Sequence, residues 1–212
     1  MNFASDNWAG ASEPVLQALV AEARQTGAPY GGNALVHRAA EALSRLFERE
    51  VAAFLVATGT AANALALSAY TRPGGVAFAH RAAHVASEEC GAPEFLGSGL
   101  KIVGLGGRRG KLAPETLRRA TAEFSASAIK HGQPVAASIS QITEFGAAYT
   151  CPEVTALSEV AHGAGLVLHM DGARFANAVA ALGCSPADIT WRAGVMFSRS
   201  GARRTAVRGS RR

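Results

Sequence analysis

The chain has 212 residues, 49% of them hydrophobic and 17% charged, which gives enough apolar material for a buried core and too little charge for an intrinsically disordered chain. Its formal net charge of +5 is local: six of the 21 basic residues are arginines from Arg199 onward, where no acid occurs, so the rest of the chain holds 15 basic against 16 acidic groups. That excludes a broad basic face on the folded body, and with it a general surface for nucleic acid.

Ser12 followed by Glu13-Pro14 opens a predicted helix with Val15, Leu16, Leu19, Val20 and Ala23 on one face. Gly27 to Gly32 is a loop by its breakers, and a second helix follows from about Ala34 to Arg49. Val51 to Ala57 reads as a short buried strand that turns at Thr58-Gly59-Thr60 into an Ala- and Leu-rich helix, Ala61 to Tyr70. Alternation continues with a strand at Val76–His80, a helix from near Ala82, a strand at Lys101–Leu105, a helix at Thr116–Lys130 and a strand at Val135–Ser140. Pro152 starts a helix to about His162, and Leu166 to Met170 is a further strand. Strands alternating with helices of roughly 10 to 15 residues predict an α/β fold, a mostly parallel sheet with helices on both faces. No apolar run is long enough to span a bilayer, the first residues lack the pattern of a secretion signal, and Cys90, Cys151 and Cys184 show no Cys-x-x-Cys spacing. A cytoplasmic protein is the expectation.

Four stretches carry polar groups where such a sheet binds ligands, at the carboxyl ends of its strands. Thr58-Gly59-Thr60-Ala61-Ala62-Asn63 offers the free amides of a helix start to a phosphate, although an ordinary strand-to-helix turn capped by threonine reads the same way. No Gly-Lys-Ser/Thr ends it, so it is not a Walker loop. His84 follows a strand, with Glu88 and Glu89 just beyond, and its ring could stack on a flat cofactor. Asp171 and Arg174 follow the strand Leu166–Met170: the carboxylate can pair with a protonated ring nitrogen and the guanidinium can grip a substrate carboxylate, against the plainer reading of a capping Asp and a solvated Arg. Gly104 to Gly110 lacks the spacing of a dinucleotide loop and reads as a surface turn.

Taken together these motifs resemble the threonine aldolases of the aromatic-amino-acid β-eliminating lyase group, fold-type-I enzymes that depend on pyridoxal 5′-phosphate (PLP). The matching pieces are Ser5 to Gly10, Pro29-Tyr30-Gly31-Gly32, TGTAANALAL from Thr58, HVASEECGAPEF from His84, Gly110-Lys111-Leu112, TEFGAAYT from Thr143 and LHMDGARFANA from Leu168. The resemblance implies that Gly59 and Thr60 cradle the cofactor phosphate, that His84 stacks on its ring and assists proton transfer, and that Asp171 pairs with the ring nitrogen. It further implies that Arg174 and Ser5 face the substrate. The implied reaction cleaves a β-hydroxy-α-amino acid such as threonine or allo-threonine to glycine and an aldehyde, and the implied assembly is a homotetramer. Asn33 departs from the aspartate usual after Tyr-Gly-x.

The family's Schiff-base lysine is expected downstream of Asp-Gly-Ala-Arg, in a Ser-Phe-Gly-x-Thr-Lys segment. This chain has lysine only at Lys101, Lys111 and Lys130, and from Met196 it reads MFSRSGARRTAVRGSRR. Read one nucleotide earlier, codons for Met196 to Val207 can encode DVLSFGRTKNGC, which contains that segment in its place. The expectation is therefore an incomplete PLP-binding domain over residues 1–195, an arginine-rich, disordered tail over 196–212 created by a frameshift, and an inactive, poorly soluble chain. Another fold-type-I amino-acid lyase is the alternative within the same class, separable by a substrate panel. A non-enzymatic protein binding nucleic acid or acidic membranes through its basic tail is the alternative outside it, separable by salt-sensitive binding lost with residues 196–212.

Overall fold

The computed structural model describes residues 10–30, 32–124, 130–200 and 205–209, with backbone alone at 197–200 and 205–209. The chain divides into two units, Met1–Ala39 and Ala40–Arg212.

In the first unit, helix α1 (Glu13–Ala23) begins with Pro14 in its first turn, and Ser12 contributes its carbonyl to the amides of Val15 and Leu16 without a side-chain cap. Helix α2 (Ala34–Leu46) starts where Asn33 Oδ1 accepts from Leu35 N at 2.6 Å, so the asparagine serves as a local cap.

The second unit carries a sheet of seven strands: β1 (Val51–Leu55), β2 (Gly75–His80), β3 (Lys101–Leu105), β4 (Gln133–Ser140), β5 (Val167–Gly172), β6 (Phe197–Ser200) and β7 (Thr205–Gly209). Their order is β1-β7-β6-β5-β4-β2-β3. The pairs β2–β3, β2–β4, β4–β5 and β5–β6 are parallel, whereas β7 runs antiparallel to both β6 and β1. Connecting them are α3 (Gly59–Ser68), the short α4 (His84–Ser87) and α5 (Ala92–Leu96), then α6 (Pro114–Glu123), α7 (Cys151–Gly163) and α8 (Phe175–Leu182). The predicted mostly parallel sheet is what forms.

Side-chain size decides which helices lie on which face. Along β2 the odd and even residues part: Val76 and Phe78 enter one core with Leu117 of α6, Ile139 of β4, Val154 and Leu157 of α7 and Leu168 of β5. Ala77 and Ala79 enter a second core with Leu67 of α3, Val85, Leu100 and Ala136. The alanine face packs against α3, itself built of Ala and Leu, while the bulkier face takes α6 and α7. Both faces are covered, which is why β2 reads as an unbroken apolar run.

Four elements differ from expectation. Strand β1 was expected to be buried, and of its five residues Val51 alone is. The helix expected from near Ala82 is two short pieces, broken where Cys90 (φ 50°) and Gly91 (φ 75°) take left-handed conformations. The helix expected over Thr116–Lys130 runs from Pro114 to Glu123, and residues 125–129 lie outside the described ones. Finally, the segment beyond Met196 was expected to be without regular structure, and its described residues form β6 and β7. The backbone supplies the reason: β4 pairs with only one side of β5, so the N–H and C=O groups on the other side need partners, and a strand meets that need with its main chain whatever its side chains are.

Candidate active site

The parallel strands end together on one edge of the sheet, and four loops meet there. The first, after β1, leads into α3. Thr58 caps that helix, its Oγ1 accepting from Ala61 N at 2.9 Å, and the first helical bond is Ala62 N to Thr58 O. The amides of Gly59 and Thr60 precede that bond at the positive end of the helix, so an anion placed there meets two backbone donors and the helix dipole. Gly59 is buried and Thr60 half-buried.

His84, at the start of α4, stands on the same edge after β2. Its ring is 46% exposed, while its Nδ1 lies 2.9 Å from Oε1 of Glu89, whose side chain is fully buried. Its backbone amide donates to Glu144 Oε1 at 2.9 Å, and Glu144 in turn accepts from Ser140 Oγ at 2.8 Å. The loop carrying Glu144 is tied down by Gln141. That side chain donates to Tyr149 O and accepts from Tyr149 N, as a neighbouring strand would, and Gln141 N donates to Asp171 O at 2.8 Å. Tyr149 Oη accepts from Leu112 N at 2.6 Å, and burial pushes its phenol well above the usual range, so it stays neutral as a core strut.

Asp171 is the penultimate residue of β5 and is buried. Its Oδ1 accepts from Ala173 N at 3.1 Å and its Oδ2 from Asn63 Nδ2 at 2.9 Å. The same Asn63 nitrogen donates to Glu89 Oε1 at 2.7 Å. One buried amide thus links Asp171 to the carboxylate that holds His84. The donor atoms of His84, Glu89 and Asp171 lie within 4.8 Å of one another, a spacing that would suit a cation, but Asn63 Nδ2 is already the shared donor between the two carboxylates. Arg174, at the N-cap position of α8, is exposed on the same edge.

Of the site residues expected from sequence, Gly59, Thr60, His84, Asp171 and Arg174 come to this edge, and Ser5 lies outside the described residues. Asp171 does not cap a helix, because it remains within β5. Gly104 to Gly110 forms a turn with a short 3-10 segment at Arg108–Gly110. Asn63, Glu89 and Glu144 were missed as members of the site. Asn63 had a signal: it is the one amide in an otherwise Ala- and Leu-rich helix interior, where its propensity is poor and burial demands a partner.

Residues 2–202 match the beta-eliminating lyase family. The chain belongs to that family. It is 39% identical over 193 residues to a low specificity L-threonine aldolase of a Pseudomonas species, covering 91% of this chain and 55% of that protein. A second, from Pseudomonas aeruginosa, matches with the same identity and coverage. Among solved structures, the threonine aldolase of Leishmania major superposes with a TM-score of 0.87 at 26% identity, over 95% of this chain and 60% of that one. The chain thus spans about half the length of the curated relatives it matches. Among its described residues no helix is long and apolar enough to cross a membrane.

Proposed function

We propose that this chain is the cofactor-binding part of a PLP-dependent, threonine-aldolase-type lyase that splits β-hydroxy-α-amino acids such as threonine into glycine and an aldehyde. The observation that carries the reading is one edge of the sheet bearing an anion-binding helix start, an imidazole and a buried carboxylate. The donor set fits the cofactor. Gly59 and Thr60 offer amides to a phosphate, and Asp171, a buried carboxylate that accepts from Asn63 Nδ2 and Ala173 N, suits a protonated ring nitrogen. His84, half-exposed on the same edge, suits stacking on the ring face.

When bound, PLP supplies a positively charged ring that draws off the electron pair released as the Cα–Cβ bond breaks. Asp171 keeps the proton on the ring nitrogen by charge and hydrogen bonding. His84 takes the proton of the substrate β-hydroxyl, and Arg174 pairs with the substrate carboxylate in bidentate fashion. The family resemblance assigns Ser5, which lies outside the described residues, a contact with the substrate. The working assembly is a cytoplasmic homotetramer.

In the 212-residue chain neither Lys101 nor Lys111 is placed to join this cluster. Lys101 begins β3, at the opposite end of the strands, and Lys111 Nζ lies 2.7 Å from Glu153. Equilibrium dialysis of the 212-residue chain against PLP tests the reading. Retained cofactor is expected, with affinity lowered about tenfold in Asp171→Asn, a loss typical of a charge-assisted hydrogen bond. No glycine is expected from threonine. Failure to retain PLP, or equal retention by Asp171→Asn, overturns the proposal.

A further inference from the structure

We infer that Glu89 is a positioning residue that acts through His84, holding the imidazole proton on Nδ1 so that Nε2 is the acceptor, with Asn63 coupling this device to Asp171. The inference rests on the lyase reading for its purpose, but its geometry stands alone.

Glu89 lies in the turn after α4 and its side chain is fully buried. A carboxylate in that position needs donors, and Oε1 has two: Asn63 Nδ2 at 2.7 Å and His84 Nδ1 at 2.9 Å. An ionised carboxylate oxygen can only accept, so a ring nitrogen facing it at this distance carries the proton. Oε2 is buried without a hydrogen-bond partner among the described residues, so both polar contacts of Glu89 fall on one oxygen. Glu89 thereby holds the ring at Nδ1, and the side chain is half-exposed at the end of the sheet where a substrate would sit. When a proton arrives at Nε2 the ring becomes a cation, and Glu89 faces the new charge across the Nδ1–H bond. The proton comes from a hydroxyl whose bonding electrons stay on its oxygen.

Asn63 extends the arrangement. Its Nδ2 spends one hydrogen on Glu89 and the other on Asp171 Oδ2, so the carboxylate beneath the proposed ring-nitrogen site and the one behind His84 are held by a single side chain. Among the described residues, the ionisable groups set around His84 include Glu89 on Nδ1, Asp171 beyond Asn63, and Glu144 on the His84 backbone amide.

The test is ¹⁵N NMR of the 212-residue chain labelled at histidine, without cofactor or substrate, with His84 assigned by its loss in His84→Gln. The neutral ring of the wild type is expected as the Nδ1–H form. Glu89→Gln keeps an acceptor carbonyl and removes the charge, so the tautomer should persist while the titration midpoint of His84 falls by about one pH unit, a tenfold loss of proton affinity. Glu89→Leu removes the acceptor, and the tautomer preference should go with it. Should Glu89→Leu fail to fold, Glu89→Gln, of the same size, carries the test. A wild-type ring protonated on Nε2 when neutral, or a midpoint that moves by less than about 0.3 unit in Glu89→Gln, overturns the inference. A merely structural Glu89 would change the unfolding temperature and neither of these readings. Because no cofactor is present, failure here leaves the PLP-retention result intact, and the reverse holds equally.

Discussion

Two polar clusters of similar make-up sit in the second unit, and they differ in water. In one, Glu89 is fully buried against His84 and Asn63; in the other, Glu153 is 46% exposed against Lys111 and Thr150. Glu153 has each need met. Both its oxygens accept from Lys111, at 2.7 and 2.8 Å, and the carboxylate and Thr150 close a capping box at the start of α7. Glu89 has one oxygen doubly used and the other without a hydrogen-bond partner among the described residues. The wet cluster is arranged as stability would arrange it. The dry one leaves cost unrecovered to hold an imidazole and a second carboxylate in fixed places, which is the pattern of a site rather than a strut.

Removing a donor should hurt far more on the dry side. Asn63→Leu conserves approximate volume but leaves Glu89 and Asp171 each short of a buried donor, and we expect a loss of about 3 kcal/mol in urea unfolding. A loss below about 1 kcal/mol would mean that water reaches these oxygens, and the distinction between the clusters would collapse. On the wet side, Thr150→Ala removes the cap from Glu153 N and should cost about 1 kcal/mol by the same measurement. A cost comparable to that of Asn63→Leu would make the capping box, and not the buried amide, the more sensitive network.

The alternation of strands and helices was legible because hydrophobic runs and breakers are local signals, and so was the position of Gly59, His84 and Asp171 at or just after strand ends. What joins them was not. Asn63 meets Asp171 across 108 positions of sequence, and nothing local in either segment encodes that meeting. Glu89 was visible only as a neighbour of His84, because charge in a sequence does not announce burial. The strands beyond Met196 were unreadable for a different reason. Their place is set by the open backbone of β5, so a segment with no apolar periodicity could still be recruited.

The smallest effect expected is the most diagnostic of how the wet cluster works. Burial, the largest single influence on the Glu153 carboxyl, raises its proton affinity, but hydrogen bonds from Lys111 and from the amide and hydroxyl of Thr150 together outweigh it, and the net shift is downward. A carboxyl held below its unfolded value contributes stability that is fully present above the ordinary glutamate range and is lost as pH falls through the folded value. Lys111→Met removes the charge and keeps an apolar stem. At neutral pH we expect it to cost roughly 0.5 kcal/mol, small because the pair is half-solvated, and the difference from wild type should shrink in acid as Glu153 takes up its proton. Urea unfolding of both chains at neutral and acidic pH measures this directly. A difference that persists in acid would instead assign Lys111 to the Tyr149 ring, over which its ammonium lies 5.2 Å from the centroid, since that contact does not titrate with Glu153.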